Sequence, residues 1–306
     1  MDQLREGEPP AFPLTGSLDH LGDMVRSVHP DRILVALEDR RGRLPVDRLL
    51  ESKLGGVLIE DGVEVHERLT GKLAIESLRP SALIYSRDFR WRPFERTVAR
   101  TLSFLTALVG LVVTAPLSGL IAMLIRLDSA GPVFFMQERV GKKGRRFRLI
   151  KFRTMHPAGA AHSEWAADNV ERITRVGRWL RRLHLDELPQ FVNVLRGDMN
   201  LVGPRPHPVS NFDLFTANIP YYPLRSTVRP GLTGWAQIRF GYANNLEEET
   251  EKMRYDLYYL KHRSLWLDIR ILIRTAWILV AGSAPESAAG RHAGASLSVG
   301  QVHRAA

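Results

Sequence analysis

At 306 residues the chain has room for one large domain or two modest ones, each with its own core. With 43 Lys and Arg against 33 Asp and Glu the net charge is +10, which points to an anionic partner: nucleic acid, phospholipid headgroups or a phosphorylated substrate. There is no cysteine, which excludes disulfides, thiolate metal sites and thiol catalysis. The opening Met1 to Glu6 is polar and reads as neither a signal peptide nor a lipidation site, so whatever takes the protein to a membrane is expected inside the chain.

Residues 1–30 are rich in Pro and Gly and are expected to form a flexible N-terminal segment. Residues 31–86 then alternate. Ile33 to Leu37 suits a buried strand, Arg40 to Arg43 a turn, and Pro45 to Leu54 a helix with Pro in its first turn. Gly56 to Ile59 and Ala82 to Tyr85 read as further strands. Strand, helix, strand in this order predicts an α/β fold class here, a partial Rossmann-like α/β module. No G-x-G-x-x-G follows a strand, so no dinucleotide fingerprint is present, and a regulatory or dimerising role compatible with a homodimer is the plainer reading.

Residues 87–126 form an interfacial segment and a membrane helix. Arg87 to Arg100 places five arginines among Phe89, Trp91 and Phe94, a mixture suited to the headgroup layer; a solvated linker helix is the alternative. Thr101 to Ile125 then runs 25 residues without a charge. As a straight helix it would reach roughly 37 Å, enough to cross a ~30 Å hydrocarbon core. Two features oppose a single crossing. Pro116 sits in the middle, where it removes a hydrogen bond and bends a helix. Both flanks are also basic, and a single pass cannot leave both in the cytoplasm. A re-entrant helix that bends at Ala115-Pro116 and leaves by the face it entered satisfies both, with spanning and core-helix readings as alternatives.

Residues 127–281 are polar and dense in motifs. Pro132 to Phe135 and Phe147 to Ile150 read as strands joined by the basic turn Gly141-Lys-Lys-Gly144, a hairpin. Ile173 to Leu183 and Leu188 to Leu195 read as helices, the second starting at Pro189. Ser264 to Val280 mixes apolar residues with Asp268, Arg270 and Arg274; three charges favour an interfacial amphipathic helix over a span, with a core helix as the alternative. The tail, 282–306, is small and polar and is expected to be disordered.

Asp186-Glu187 is the sharpest chemical signal. Adjacent carboxylates repel unless a cation lies beside them, and the pair falls between Arg178, Arg181 and Arg182 on one side and a helix start on the other. Two carboxylates, a hard divalent ion and a phosphorylated substrate make a common Mg²⁺ arrangement, and an Asp in such a site can attack phosphorus to give an acyl phosphate. Exposed surface acids are the plainer reading of the dipeptide alone. Lys151, Arg153 and Arg205 add positive charge from separate segments, and Pro204 and Pro206 stiffen the backbone around Arg205, as bidentate phosphate recognition requires. The loop Arg229-Pro-Gly-Leu-Thr-Gly-Trp-Ala-Gln237 offers Thr233 and Gln237 to a nucleotide or sugar.

The ordered set Pro132-Val-Phe-Phe135, Gln137-Glu-Arg-Val-Gly141, Lys151-Phe-Arg-Thr-Met155, Leu185-Asp-Glu-Leu-Pro-Gln190, Gly197-Asp-Met199, Val202-Gly-Pro-Arg-Pro206 and Arg229 to Gln237 closely resembles the bacterial sugar transferases. These are monotopic polyprenyl-phosphate sugar-1-phosphate transferases that initiate exopolysaccharide, O-antigen and related glycoconjugate assembly. The resemblance runs from about Phe89 to Gly282 and marks 127–281 as a phosphosugar transferase catalytic domain. Residues 31–86 resemble the end of the α/β module of larger members that begin with several membrane helices, so a short or trimmed form is expected. The resemblance implies that Asp186 attacks the β-phosphate of a UDP-sugar, that UMP leaves, and that polyprenyl phosphate then takes the phosphosugar. Glu187 would help hold Mg²⁺, together with Asp186, or assist proton removal. Lys151, Arg181 and Arg205 match the family's phosphate-contacting positions, and Asp198 an acidic position expected to pair with a basic side chain. The family's helix break falls at a proline, matched by Pro116. A serine often precedes that proline; Ala115 stands here, so hydroxyl support for the bend is expected to be missing. The implied location is the cytoplasmic face of a bacterial inner membrane, in contact with membrane lipids.

Two polyanionic substrates at a membrane surface account for the net charge without nucleic acid. An ordinary UDP-sugar glycosyltransferase would release UDP and is expected to carry a D-x-D-like metal motif, which is not found. A membrane-anchored scaffold for polysaccharide assembly with a degenerate site is the reading from another class. The UDP-sugars of glucose, galactose and their N-acetyl forms share one diphosphate, so the motifs define the diphosphate and not the sugar.

Overall fold

A computed structural model describes residues 17–36, 44–75, 85, 89, 91–156, 167–241 and 243–281. The chain divides into two compact units, Met1–Arg79 and Pro80–Ala306.

In the first unit a short 3-10 turn, Leu18–His20, leads into α1 (Leu21–Val28), so part of the stretch expected to be flexible is helical. β1 (Arg32–Val35), α2 (Val46–Leu54) and β2 (Leu58–Asp61) follow, and the two strands pair in parallel with Arg32 opposite Leu58. A parallel pair needs a crossover, and α2 supplies it. A further helix, α3 (Gly62–Thr70), was not read from the sequence. Asp61 caps it by accepting from the Val63 N–H at 2.9 Å, and Gly71 ends it at φ 70°. The expected strand at Ala82 to Tyr85 falls almost wholly outside the described residues, as does the turn at Arg40 to Arg43. A β-α-β-α unit is therefore present, with two strands.

The second unit is organised around α4 (Pro93–Asp128), an apolar helix of 36 residues with Pro93 in its first turn and Pro116 inside it. Pro116 has no N–H, so the Val112 carbonyl loses its helical donor. The expectation that hydroxyl support is missing here is corrected by Thr114, one residue earlier than Ala115, whose Oγ1 donates to the Gly110 carbonyl at 2.6 Å. Both ends of α4 are fastened to the same unit. Toward the N-terminus, Arg100 donates to the carbonyls of Met199 (3.0 Å) and Leu195 (3.3 Å), the Ser103 hydroxyl accepts from the Leu201 N–H at 3.2 Å, and Ala107 packs with Leu149, Val194 and Met199. Toward the C-terminus, Ile121 and Ile125 pack with Phe152 and Leu180, and Asp128 accepts from the Val176 N–H at 3.0 Å. Between these anchorages Val112, Val113 and Leu117 are exposed, as are Leu102, Leu105, Leu120 and Met123 along the outer face.

β3 (Phe134–Val140) and β4 (Arg146–Phe152) form the expected hairpin, with longer strands than the apolar runs alone define; Val140 faces Arg146 at the tip, and Phe135 faces Lys151 five residues further along the ladder. Next come α5 (Arg175–Arg182), a 3-10 turn at Leu185–Glu187, and α6 (Gln190–Arg196) with Pro189 as its N-cap. β5 (Asn200–Val202) and β6 (Gly231–Thr233) pair in parallel, with α7 (Val209–Asn218) between them in sequence. α8 (Trp235–Arg239), α9 (Leu246–His262) and α10 (Leu265–Ala281) complete the unit. α10 buries Leu267, Asp268 and Ile271 while Trp266, Ile273, Trp277 and Val280 stay exposed together with Arg270 and Arg274, so one of the three charges expected on its polar face is turned into the unit.

Gly177 sets how closely α5 approaches the end of β4. Its N–H is capped by the Thr174 hydroxyl at 2.9 Å, and a Cβ at this position would collide with the Thr154 carbonyl. Gly177→Ala is expected to cost about 1–3 kcal/mol through overpacking and to lower the melting temperature by several degrees, measured by thermal unfolding monitored by circular dichroism.

Candidate active site

The hairpin, α5 and α6 bring the first two charged motifs together. His184 sits in the left-handed region at φ 54°, a conformation uncommon for a residue with a side chain, and turns the chain out of α5 into the 3-10 turn that carries Asp186 and Glu187. Lys151, from β4, reaches across: its Nζ lies 2.7 Å from Glu187 Oε1 and 3.8 Å from Asp186 Oδ2. Arg205 donates to the same Glu187 Oε1 at 2.6 Å. Glu187 is thus held by two cations. Asp186, although buried, accepts no hydrogen bond among the described residues.

The electrostatics follow from this unequal sharing. Burial pushes the Asp186 carboxyl up, and the attraction of Lys151 opposes this without reversing it. Burial would raise Glu187 as well, but Arg205 and Lys151 together hold it well below the usual carboxylate range. Burial draws the Lys151 ammonium below the ordinary lysine value, against the support of Glu187. The cluster sets three basic side chains, Lys151, Arg205 and Arg181, against two carboxyl groups, an arrangement suited to an incoming phosphate. Arg181 donates through Nε to the Thr154 hydroxyl at 2.9 Å, which fixes the guanidinium and leaves its terminal N–H groups unengaged among the described residues.

The remaining predicted residues are placed differently. Arg153 is turned away from the carboxylates: its terminal nitrogens bond Ser129 O at 2.6 Å, Ser129 Oγ at 2.9 Å and Ala130 O at 2.9 Å, at the turn that ends α4. Gly131, at φ 123°, leaves the room this guanidinium occupies. Thr233 and Gln237 lie beside the Arg205 segment, since the Gly203 N–H donates to the Thr233 carbonyl at 3.0 Å. The Thr233 hydroxyl is shared with Thr275 of α10 at 2.7 Å, and Gln237 Nε2 donates to Leu232 O at 3.1 Å while its Oε1 is buried without a partner. Asp198, expected to meet a cation, instead accepts from the Asn193 amide at 3.1 Å. Pro116 lies on the exposed part of α4, away from these anchored ends.

Two sets of supporting residues were not read from the sequence. Asn193 is fully buried on α6. Its Oδ1 accepts from the Ile150 N–H at 3.0 Å and its Nδ2 donates to Arg148 O at 2.8 Å, which fixes β4, and Lys151 with it, against the carboxylate turn. Arg225 donates to the Arg205 carbonyl at 3.0 Å and to Asp256 at 2.6 Å, and through Tyr222 it reaches Glu249. Glu249, Lys252 and Asp256 lie among Met253 and Leu257 at three- and four-residue spacing on the buried stripe of α9. Charges at core spacing on a helix were the available signal for this network.

A hard divalent ion needs oxygen ligands. No cluster of three or more acidic or imidazole groups occurs among the described residues. Two carboxylates, one of them without a hydrogen bond, do fit the way Mg²⁺ is held by one or two protein carboxylates with water and substrate phosphate filling the rest.

A charge-clamped carboxylate pair, in a unit whose longest helix presents an exposed apolar face, defines a site suited to phosphate. Residues 94–282 match the family model described as Bacterial sugar transferase, and the chain belongs to that family. Over 220 residues it is 41% identical to the UDP-N-acetylgalactosamine-undecaprenyl-phosphate N-acetylgalactosaminephosphotransferase of Aeromonas hydrophila, covering 72% of this chain and 51% of that protein. It is 44% identical over 179 residues to the UDP-glucose:undecaprenyl-phosphate glucose-1-phosphate transferase of Caulobacter vibrioides, covering 58% of this chain and 67% of that protein. It is 39% identical over 186 residues to the exopolysaccharide production protein PSS of Rhizobium leguminosarum bv. phaseoli, covering 58% of this chain and 92% of that protein. The chain spans about half the length of the Aeromonas protein.

Because Asp186 is destabilised as an anion in the fold, Asp186→Asn is expected to raise stability at neutral pH. A raised carboxyl pKa means the native state holds the proton longer than the unfolded chain, whose value is 3.8, so stability falls as pH rises from there through the native value. The gain from Asp186→Asn should accordingly be absent below the unfolded value of 3.8 and grow as pH rises above it, as measured by melting temperature against pH. Asn193→Ala strands the Ile150 N–H and the Arg148 carbonyl and is expected to cost at least about 2 kcal/mol in denaturant unfolding.

Proposed function

We propose that this chain transfers sugar-1-phosphate from a UDP-sugar to polyprenyl (undecaprenyl) phosphate, releasing UMP. The observation that carries the reading is the division between the two carboxylates: Glu187 is spent on Lys151 and Arg205, and Asp186 is left with a free, desolvated oxygen. A desolvated carboxylate without hydrogen bonds is the better nucleophile of the pair.

In the proposed sequence Asp186 attacks the β-phosphorus of the UDP-sugar. An Asp–O–P bond forms, the bond from that phosphorus to the bridging diphosphate oxygen breaks, and UMP departs with the electron pair. An oxygen of polyprenyl phosphate then attacks the same phosphorus and Asp186 leaves, giving a polyprenyl diphosphate sugar. Lys151 and Arg205 supply fixed positive charge where the transferring phosphoryl oxygens gather charge, and Arg181 turns its free N–H groups to the same region. Asp186 and Glu187 are the residues that would hold Mg²⁺, which when bound neutralises phosphate charge. The covalent step lets two anionic substrates occupy one cationic site in turn.

The membrane seat is read from α4. Its two ends are fastened to one unit while its middle, around Pro116, is apolar and exposed, which favours a re-entrant, monotopic placement over a crossing with flanks on opposite sides. With α10 it would seat the site at the headgroup layer of a bacterial inner membrane, on the cytoplasmic face where UDP-sugars are available.

UDP-sugars presented with Mg²⁺ and undecaprenyl phosphate in detergent are expected to yield UMP, and Asp186→Asn to reduce that rate by at least about 10³-fold. Without acceptor, wild type should release close to one UMP per chain and gain the mass of a sugar phosphate on the peptide bearing Asp186. UDP as product would point instead to an ordinary glycosyltransferase, and no nucleotide product to a membrane-anchored scaffold.

A further inference from the structure

A second cationic site lies away from the carboxylate pair. Arg96 at the start of α4, Lys142 in the hairpin tip, Arg229 before β6 and Arg263 between α9 and α10 line one cavity of ≈ 90 Å³, with Trp91 and Tyr259 in its wall. Lys142 is at the opposite end of the hairpin from Lys151: the ladder runs from Val140 opposite Arg146 to Phe135 opposite Lys151, about 17 Å at 3.4 Å per residue.

None of the four cations has an acidic partner among the described residues. Asp268, whose charge attracts Arg263, accepts from the Tyr259 hydroxyl at 2.9 Å and forms no ion pair with Arg263 among the described residues. Burial, followed by repulsion from Arg96 and Arg229, lowers the Lys142 ammonium below the ordinary lysine value. The donors are also held in place. Arg229 Nε bonds Gly197 O at 2.9 Å, leaving its terminal nitrogens unspent, and the Arg263 guanidinium lies 3.9 Å over the Trp91 ring. The Trp91 indole N–H and Arg263 Nε are both buried without an acceptor. Four charges lining one cavity and two buried donors without a protein acceptor make a site suited to an anion. The volume is several times that needed for one water but well under that of pockets that enclose a nucleotide, which matches a phosphate group.

The position decides the source of that phosphate. α4 begins at Pro93, two residues after Trp91, and α10 begins at Leu265, two residues after Arg263. The two helices with exposed apolar faces therefore both start at this cavity. Arginine, lysine and tryptophan at the foot of membrane-seeking helices are the side chains that meet headgroup phosphates. We propose that this cavity binds the phosphate of an anionic membrane phospholipid, a site separate from the carboxylate pair and independent of the transferase reading.

The test uses the full chain in an uncharged detergent, titrated with dihexanoylphosphatidylglycerol or with inorganic phosphate and read by calorimetry, for wild type, the pocket variant Arg96→Gln/Lys142→Gln, and a control, Arg145→Gln/Arg148→Gln, which removes two exposed hairpin cations outside the cavity. The expected result is saturable lipid binding that weakens at least about tenfold in the pocket variant only, with inorganic phosphate binding far more weakly. Equal weakening in the control, or none in the pocket variant, would overturn the proposal. Inorganic phosphate binding as tightly as the lipid would assign the cavity to free phosphate and overturn the lipid source. Neither pair of substitutions touches Asp186, Glu187, Lys151 or Arg205, and circular dichroism with thermal unfolding establishes that the variants remain folded.

Discussion

Two carboxylates on neighbouring residues cannot both be buried as anions without compensation, and most of the second unit can be understood as the means of compensating one of them. Glu187 takes a lysine from the hairpin and an arginine from the Pro-Arg-Pro segment on a single oxygen. Those cations can reach it only because β4 is tied to α6 through Asn193, and because the Arg205 backbone is tied to Arg225 and, through it, to α9. The network behind Arg225 is almost entirely desolvated, and buried ion pairs of this kind contribute more to geometry than to stability. Here they fix where one guanidinium points.

The uncompensated member of the pair explains the cost of the arrangement. Asp186 is left in a low-dielectric pocket with its nearest cation beyond hydrogen-bonding range. A fold selected for stability alone would neutralise it or bond it. A buried carboxylate kept without a hydrogen bond inside a cationic frame is a local instability of the kind that accompanies reactive groups. The surplus of fixed positive charge around it also means that an anionic ligand completes the electrostatics of the site.

Much of this was legible in the residues, and the failures are instructive. The hairpin, the proline-started helix after the carboxylates and the amphipathic α10 were readable because each is written in local periodicity and turn chemistry. The apolar body of α4 was legible for the same reason, but not its boundaries: the helix begins at Pro93, inside the stretch read as an interfacial segment, and runs past Ile125 to Asp128. The carboxylate–lysine–arginine cluster was legible as a motif set, although its division of labour depends on distances between separate segments. Arg153 shows the limit: the type of residue and its neighbourhood suggest phosphate, but its guanidinium goes to the turn at Ser129 and Ala130. Thr114 shows another, since a hydroxyl one position from the expected one bonds the helix backbone just before Pro116. Asn193 and the Arg225 network are products of contacts dozens of residues apart, and only the charged stripe on α9 hinted at them.

α4 is usually the sort of segment considered dispensable when a membrane-associated protein is trimmed for solubility. Its inner stripe forbids that here. Ala107 closes one hydrophobic cluster with Leu149, Val194 and Met199, and Ile121 and Ile125 close another with Phe152 and Leu180, the layers on which β4 and the carboxylate turn rest. The exposed apolar outer face and the structural inner face belong to one helix, so the same segment is also a wall of the site's supporting core. Excising it would remove floor and wall together, so the apolar outer face cannot be cut away without the layers that hold the carboxylate turn.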